Sequence, residues 1–334
     1  MNIVANDEAL RYSELGPDQI LDAVQSLGYC ADGRLLAMNS YENRVYQVGL
    51  EDAEPLIVKF YRPHRWSDEA IAEEHEFARE LAEAEIPVVA PLADADGRTL
   101  HRHGAFRFSL FPRAGGRAPE PDDLDQLEIL GRFLARIHAV GATRDFAHRP
   151  TLDVTTFGEE SYRFLLESGM LPAELELPYR SLAEDLLQRI RWCYERAGDV
   201  VLLRAHGDLH IGNILWTDEG PHIVDLDDAR MAPAVQDLWM LLAGDRAERT
   251  AGLDALLSGY SDFRDFPPRE LHLVEALRTL RLMHYYAWIA RRWSDPAFPR
   301  AFPWFAGRRA FEQHILDLRE QAALMDEEPL SIHV

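Results

Sequence analysis

Residues 200–228 hold VVLLRAHGDLHIGNILW and then PHIVDLDD, an apolar, β-like island studded with polar side chains in a part of the chain whose periodicity is otherwise helical. Strands this apolar are buried, so the aspartates, histidines and asparagine between them need partners or ligands. The chain differs on the two sides of this island. Well ahead of it, RLLAMNS, NRVYQVGL and LIVKFY are short β-prone stretches parted by SYEN and by the Glu51 to Pro55 segment, the pattern of antiparallel strands joined by hairpins. A short amphipathic helix from Pro17 to Leu27 precedes them, with apolar Ile20, Leu21, Val24 and Leu27 on one face and Gly28 as its stop. Ser67 has the character of an N-cap, with Asp68 and Glu69 in the first turn of a helix running to about Glu85. IPVVAPL and FRFSLFP then return to strand character.

The stretch RAGGRAPEPDD, residues 113–123, is rich in Gly, Pro and charge and has little to bury, so it reads as a linker. Beyond it, helices are expected around Leu127–Ile137, Leu182–Trp192, Val235–Leu242, Leu271–Ile289 and Phe311–Leu324. The expectation is an α+β chain of two lobes. Residues 1–112 form a small mixed β-sheet lobe with one main helix, and residues 124–334 a larger, mostly helical one.

Composition narrows the function classes. A formal charge of −22 opposes binding to nucleic acid, whose affinity rests on Lys and Arg neutralising phosphates. The same acidity would suit a cationic substrate, although net charge speaks first to solubility. No apolar run approaches the roughly 20 residues of a membrane span, and MNIVANDEAL lacks the basic start and apolar stretch of a signal peptide. A cytoplasmic protein with no membrane partner is expected. Cys30 and Cys193 have neither metal-site spacing nor the density of a disulfide scaffold. Nothing demands a dimer, so a monomer is expected.

The island carries the chemistry. Asp208, Asn213 five residues later and Asp225 twelve beyond that suit phosphoryl transfer, which needs a carboxylate to orient the nucleophile's proton and hard oxygen ligands to hold magnesium against a triphosphate. Asp208 fits the first role, Asn213 and Asp225 the second. Asp227 is a further metal ligand or a residue that fixes the loop. Taken singly, each is an ordinary turn residue; together they are not.

In the small lobe, Lys59 interrupts the apolar strand LIVKFY and calls for a buried carboxylate or an anionic ligand such as the phosphates of ATP. Glu74 falls on the buried stripe of the following helix and is its expected partner, with Glu73 a close competitor. Ser40, in the loop NSYENR, stands where a phosphate-cradling loop would lie, although no G-x-G-x-x-G is present and a plain hairpin is equally compatible. Ser109–Pro112, with Phe111, offers backbone groups and an apolar wall for adenine. His206 is expected to brace the loop before Asp208, and Asp237 to anchor it from below. The role of His210 stays open. His284, Tyr285, Tyr286 and Trp288 fit core packing better than a substrate pocket.

HGDLHIGN with IVDLDDA resembles the protein-kinase-like superfamily, and within it the aminoglycoside and choline phosphotransferase branch. Further stretches, among them SYENRVYQ, VKFYRPHRW, EEHEFA, FPRAGGR, PAVQDLWMLL and DPAFP, are similar over nearly the whole chain to a group of bacterial Ser/Thr kinases of the stress response. The resemblance implies a two-lobed fold with ATP in the cleft. It makes Asp208 the proton acceptor, Asn213 and Asp225 the magnesium ligands, Lys59 and Glu74 the phosphate-positioning pair and Ser40 a contact at the ATP site. The implied acceptor is a Ser or Thr hydroxyl of a protein, or of the chain itself; the alternative is a hydroxyl of a cationic metabolite. Asp-Leu-Asp stands where protein kinases of eukaryotic type have Asp-Phe-Gly, and too few residues separate Asp228 from Asp237 for a long activation loop.

Overall fold

The computed structural model describes residues 15–333; the first 14 residues of the expected small lobe lie outside the described residues. Helix α1 (Pro17–Gln25) opens the chain, with proline at its first turn. Strands β1 (Ala31–Ala37), β2 (Arg44–Leu50) and β3 (Ala53–Phe60) follow as a meander, then α2 (Asp68–Glu83), then the hairpin β4 (His101–His103) and β5 (Phe106–Pro112). These five strands form one sheet in the order β1-β2-β3-β5-β4. Every pair in it is antiparallel, so the expected mixed sheet contains no parallel pair. The reason is topological: the chain leaves β3 through α2 and returns by a hairpin whose second strand runs back along β3.

The helix starts follow their sequence signals. The Ser67 hydroxyl accepts from the Ala70 N–H at 3.1 Å, capping α2 as expected. IPVVAPL does not form a strand. Pro87 and Pro91 have no N–H to give a ladder, and the stretch instead crosses to the β-like island, where Val89 N–H donates to Ile223 O at 3.0 Å and Ile223 N–H to Pro87 O at 2.7 Å.

The rest is largely helical: α3 (Leu124–Gly141), α4 (Glu160–Glu167), α5 (Ala173–Ala197), α6 (Val235–Trp239), α7 (Arg246–Tyr260), α8 (Val274–Arg291), α9 (Ala297–Ala301) and α10 (Arg308–Leu324). Between α5 and α6 lie β6 (Leu202–Ala205), β7 (Ile214–Thr217), β8 (Gly220–Ile223) and β9 (Arg230–Pro233), paired β6-β9 and β7-β8. The β-like island thus becomes two small ribbons, because its polar residues occupy the turns. Residues 113–123 do more than connect: Arg117 exchanges backbone hydrogen bonds with Trp216 of β7, at 3.0 and 2.6 Å.

Two apolar cores result. The smaller puts Ile20 and Val24 of α1 against Val48, Val58, Phe60, Phe108 and Leu110 of the sheet. The larger fills the helical part and also takes in Phe77, Ala78 and Leu81 of α2. Helix α2 is thereby bound to both halves. Arg204 of β6, almost fully buried, strengthens this tie by reaching Glu80 at 2.8 Å with its guanidinium over the Phe77 ring.

Helices α3 and α7 approach closely through glycine. A methyl group at Gly259 would stand 1.9 Å from the Glu128 carbonyl, and one at Gly131 would stand 2.0 Å from the Leu256 carbonyl. Since backbone cannot yield as a side chain tip does, Gly259→Ala is expected to cost about 1–3 kcal/mol despite alanine's better helix propensity. Denaturant unfolding of the variant measures this; unchanged or raised stability would contradict the close approach.

Candidate active site

Strand β6 ends at Ala205 and delivers His206, Gly207 and Asp208 into a tight turn. Gly207 has φ +82°, and a methyl group there would lie 2.3 Å from the Asp228 carbonyl, so this position needs glycine for two reasons. Asp237, at 0 % exposure on α6, holds the turn from beneath. Its carboxylate accepts the backbone N–H groups of His206 and Gly207, both at 2.8 Å, and lies 3.2 Å from His138 Nε2. Burial alone would raise the Asp237 carboxyl, but these partners hold it below its ordinary value. His206 Nε2 meets the Val224 carbonyl at 3.0 Å, joining the turn to the loop after β8. His206 and Asp237 thus stand where the sequence reading put them.

Past the turn, His210 caps the short 3-10 turn Ile211–Asn213 with its own ring nitrogen, 3.0 Å from Gly212 N–H. The Asn213 amide nitrogen donates to the Asp208 carbonyl at 2.9 Å, which leaves its side-chain oxygen as an acceptor for something else. Val224 N–H donates to Asn213 O at 3.0 Å, so Asn213 and Asp225 come from adjoining backbone. Asp225 adopts left-handed backbone, φ 63° and ψ 61°, strain of the kind that collects at functional sites.

Across the cleft, Lys59 lies on the sheet face turned away from α1, by the period-two alternation that points Val58 and Phe60 into the smaller core. Its ammonium sits 2.9 Å from Asp225 Oδ1, 3.2 Å from Asp227 Oδ1 and 3.9 Å from Glu74 Oε1. Burial works against the charge, yet the three carboxylates outweigh it and hold Lys59 well above its ordinary pKa. Glu74, not Glu73, faces it. Glu73 turns outward and accepts the backbone N–H groups of Ala147, His148 and Arg149. Glu74 is pushed up to about 7 by burial, with Lys59 offsetting part of the rise. Phe111 pairs with Ile57 across β3 and β5, two residues from the Ser109 opposite Lys59, and therefore shares its face. Ser40 is half-buried in the β1–β2 loop.

Five arginines that local sequence pattern did not single out surround the site. Arg65 bridges Asp227 and Asp228, and Arg149 reaches the carbonyls of Ala70, Asp227 and Ala229 while standing 3.6 Å from Glu74. Asp227 is thus paired with Lys59 and Arg65, while its buried Oδ1 accepts no hydrogen bond. Glu42, two residues after Ser40, is gripped by Arg62, Arg292 and the Trp288 indole N–H, which fastens the β1–β2 loop to the helical part. Arg281 of α8 forms an ion pair with Asp208, which is about a quarter exposed. Burial raises the Asp208 carboxyl, and Arg281 partly offsets it. Of the aromatic group on α8, Tyr286 is core, stacked on His314 at 3.7 Å, whereas Tyr285 is exposed beside Trp288. His138, on the apolar stripe of α3 with Leu127, Leu130 and Leu134, was the one missed residue with a readable signal.

Among the described residues no group of three or more His, Cys, Asp or Glu could hold a metal by itself. Magnesium takes one or two protein oxygens and completes its shell from phosphates and water. The side-chain oxygen of Asn213 and the outward carboxylate of Asp225, 54 % exposed, are hard donors of the right kind.

Known proteins are similar to this chain in sequence and in fold. Residues 34–273 match the model of the APH phosphotransferase enzyme family. The chain belongs to this family. It is 43 % identical over 327 residues, 98 % of each chain, to stress response kinase A of Escherichia coli (strain K12), and 43 % identical with the same coverage to the serine/threonine protein kinase RdoA of Salmonella typhimurium (strain LT2). Among solved structures, an amicoumacin kinase in complex with AMP-PNP and Ca2+ superposes with TM-score 0.72 at 20 % identity, covering 94 % of both chains. An aminopropanol kinase does so with TM-score 0.67 at 20 % identity, covering 92 % of this chain and 96 % of the other. The likeness to these phosphotransferases extends beyond the small sheet to the helical part.

Because Asp237 satisfies two buried N–H groups and His138 at once, Asp237→Ala should destabilise the fold by about 3 kcal/mol or more and abolish activity with it. Asp237→Asn, which keeps one acceptor oxygen, should lose less. Chemical denaturation of the two variants in parallel checks the order; equal stability of wild type and Asp237→Ala would disprove the anchor.

Proposed function

We propose that this phosphotransferase is an ATP-dependent, Mg2+-requiring Ser/Thr protein kinase of a bacterial stress response, acting in the cytoplasm as a monomer. The observation that carries the reading is the 43 % identity over nearly the whole chain to proteins named stress response kinase A and serine/threonine protein kinase RdoA. No helix among the described residues is long and apolar enough to cross a membrane, which accords with a protein working away from the bilayer.

In this reading residues 1–112 are the nucleotide lobe, 113–123 the linker and 124–334 the catalytic lobe. ATP lies between them, its adenine against Phe111 and its phosphates near Ser40 and Lys59, with Glu74 holding Lys59 in place. Asn213 and Asp225 would hold the magnesium ion, which when bound neutralises charge on the phosphates. Asp208 accepts the proton of the acceptor hydroxyl as its oxygen bonds to the γ-phosphorus; the bond from that phosphorus to the β–γ bridging oxygen breaks, and ADP leaves. Asp208 is paired with Arg281 before the acceptor arrives, so this contact must loosen for the proton to be taken.

The second reading, a small-molecule kinase, is favoured by the structural neighbours, which include an amicoumacin kinase and an aminopropanol kinase. Transfer of labelled γ-phosphate separates the two. Wild type is expected to label protein serine or threonine, itself or an added protein, and Asp208→Asn to lose at least about a hundredfold of that rate while still binding nucleotide. Label found on a metabolite alone would move the protein to the second reading, and near-normal rates in Asp208→Asn would remove Asp208 from its role.

A further inference from the structure

The stripe of α8 that faces the cleft consists of Arg281, Tyr285 and Trp288, with Arg292 just past the helix end, spaced four, three and four residues apart so that all four point one way. It runs from Asp208, held by Arg281, to the β1–β2 loop, held through Glu42 by Trp288 and Arg292. An acceptor that presents its hydroxyl to Asp208 must lie along this wall.

The charges of the wall oppose what the net charge of −22 suggests. Glu42 is neutralised by Arg62 and Arg292, and Asp228 by Arg65 and Arg230. Asp225, which Lys59 pairs, is set aside for the metal in the reading above, so Asp208 is the acid left on the acceptor side, and its charge is met by Arg281. The Arg281 side chain is 40 % exposed, and among the described residues its hydrogen bond goes to Asp208 alone, so further N–H donors of its fork are left for an incoming group. An ammonium group beside the reacting hydroxyl would meet this guanidinium at contact. A carboxylate in the same place would pair with it, in the two-pronged geometry arginine favours, and draw it off Asp208. Repulsion from the acidic surface as a whole is screened beyond about 8 Å in physiological salt, whereas a contact pair is not.

We propose that Arg281 reads the acceptor: it selects serine or threonine hydroxyls with a carboxylate one or two residues away, and the arriving carboxylate frees Asp208 to take the proton. The spacing follows from geometry, since two hydrogen-bond lengths across the guanidinium span roughly 6 Å, about the reach of one or two residues of chain. The inference rests on the assignment of Asp208 and on a protein acceptor.

The test is kcat/KM on matched peptides carrying Glu, Ala or Lys beside the acceptor hydroxyl, with wild type, Arg281→Ala, Arg281→Lys and Arg281→Glu. Wild type is expected to favour the Glu peptide over the Lys peptide by about tenfold or more. Arg281→Lys should keep the direction, Arg281→Ala should flatten it, and Arg281→Glu should reverse it. A merely structural role would lower all three peptides together. A wild-type preference for Lys, or a Glu preference that survives in Arg281→Ala, overturns the proposal. So does autophosphorylation that requires Asp208 without transfer to any acidic peptide. A parallel arm compares hydroxy acids with amino alcohols. Label on small molecules alone defeats the protein-kinase reading, and a preference there for amino alcohols defeats the role of Arg281 as well. Absence of any transfer requiring Asp208 defeats the assignment beneath both.

Discussion

An ammonium group buried in an apolar sheet stays charged only if carboxylates surround it, and Lys59 has three, drawn from α2, from the loop after β8 and from the turn that follows. Glu74 and the neighbouring pair Asp225 and Asp227 lie on segments far apart in the chain, so this one charge fixes how the sheet, helix α2 and the β-like island sit together. Arg65 and Arg149 continue the pattern by neutralising Asp227 and Asp228 and by pinning the backbone carbonyls between them. Breaking such a cluster by removing a single member leaves an unpaired buried charge, which costs far more than an exposed pair contributes.

The arrangement has a functional direction. Asp227 and Glu74 are buried and committed to their partners, while Asp225 is left half in solvent, on strained backbone, beside the free oxygen of Asn213. In the proposed reading that one carboxylate of three would take the divalent cation, and Lys59 would exchange it for a phosphate oxygen. Below, Asp237 holds the Asp208 turn rigid through backbone N–H groups, which positions Asp208 without tying up its side chain. Rigid support beneath a partly exposed carboxylate is what in-line transfer requires.

Much of this was legible in the chain. Residues such as Lys59 on an apolar strand, Glu74 on an apolar helix stripe and Asp237 at the head of an apolar helix each break a local pattern that burial would otherwise enforce, and each such break marked a real partner. The strands around RVYQVGL and FRFSLFP were equally plain from alternation. IPVVAPL misled, because apolar content signals burial without saying which segment it pairs with, and its prolines decided the matter. Arg65, Arg149 and Arg281 carried no signal: an arginine in a turn or on a helix reads as solvated, and only the fold brings it to a carboxylate about 70 to 160 residues away. Glu42 was equally hidden, since its partners Trp288 and Arg292 lie some 250 positions later.

The claim on which the account turns is that Asp225 leaves Lys59 for a metal-bound triphosphate. Calorimetric titration of a non-hydrolysable ATP analogue, with and without Mg2+, into wild type and Asp225→Asn tests it directly. The account predicts that Mg2+ tightens binding to wild type by about tenfold or more and that this gain disappears in Asp225→Asn. Equal affinity with and without the metal, or a gain that persists in the variant, would contradict it.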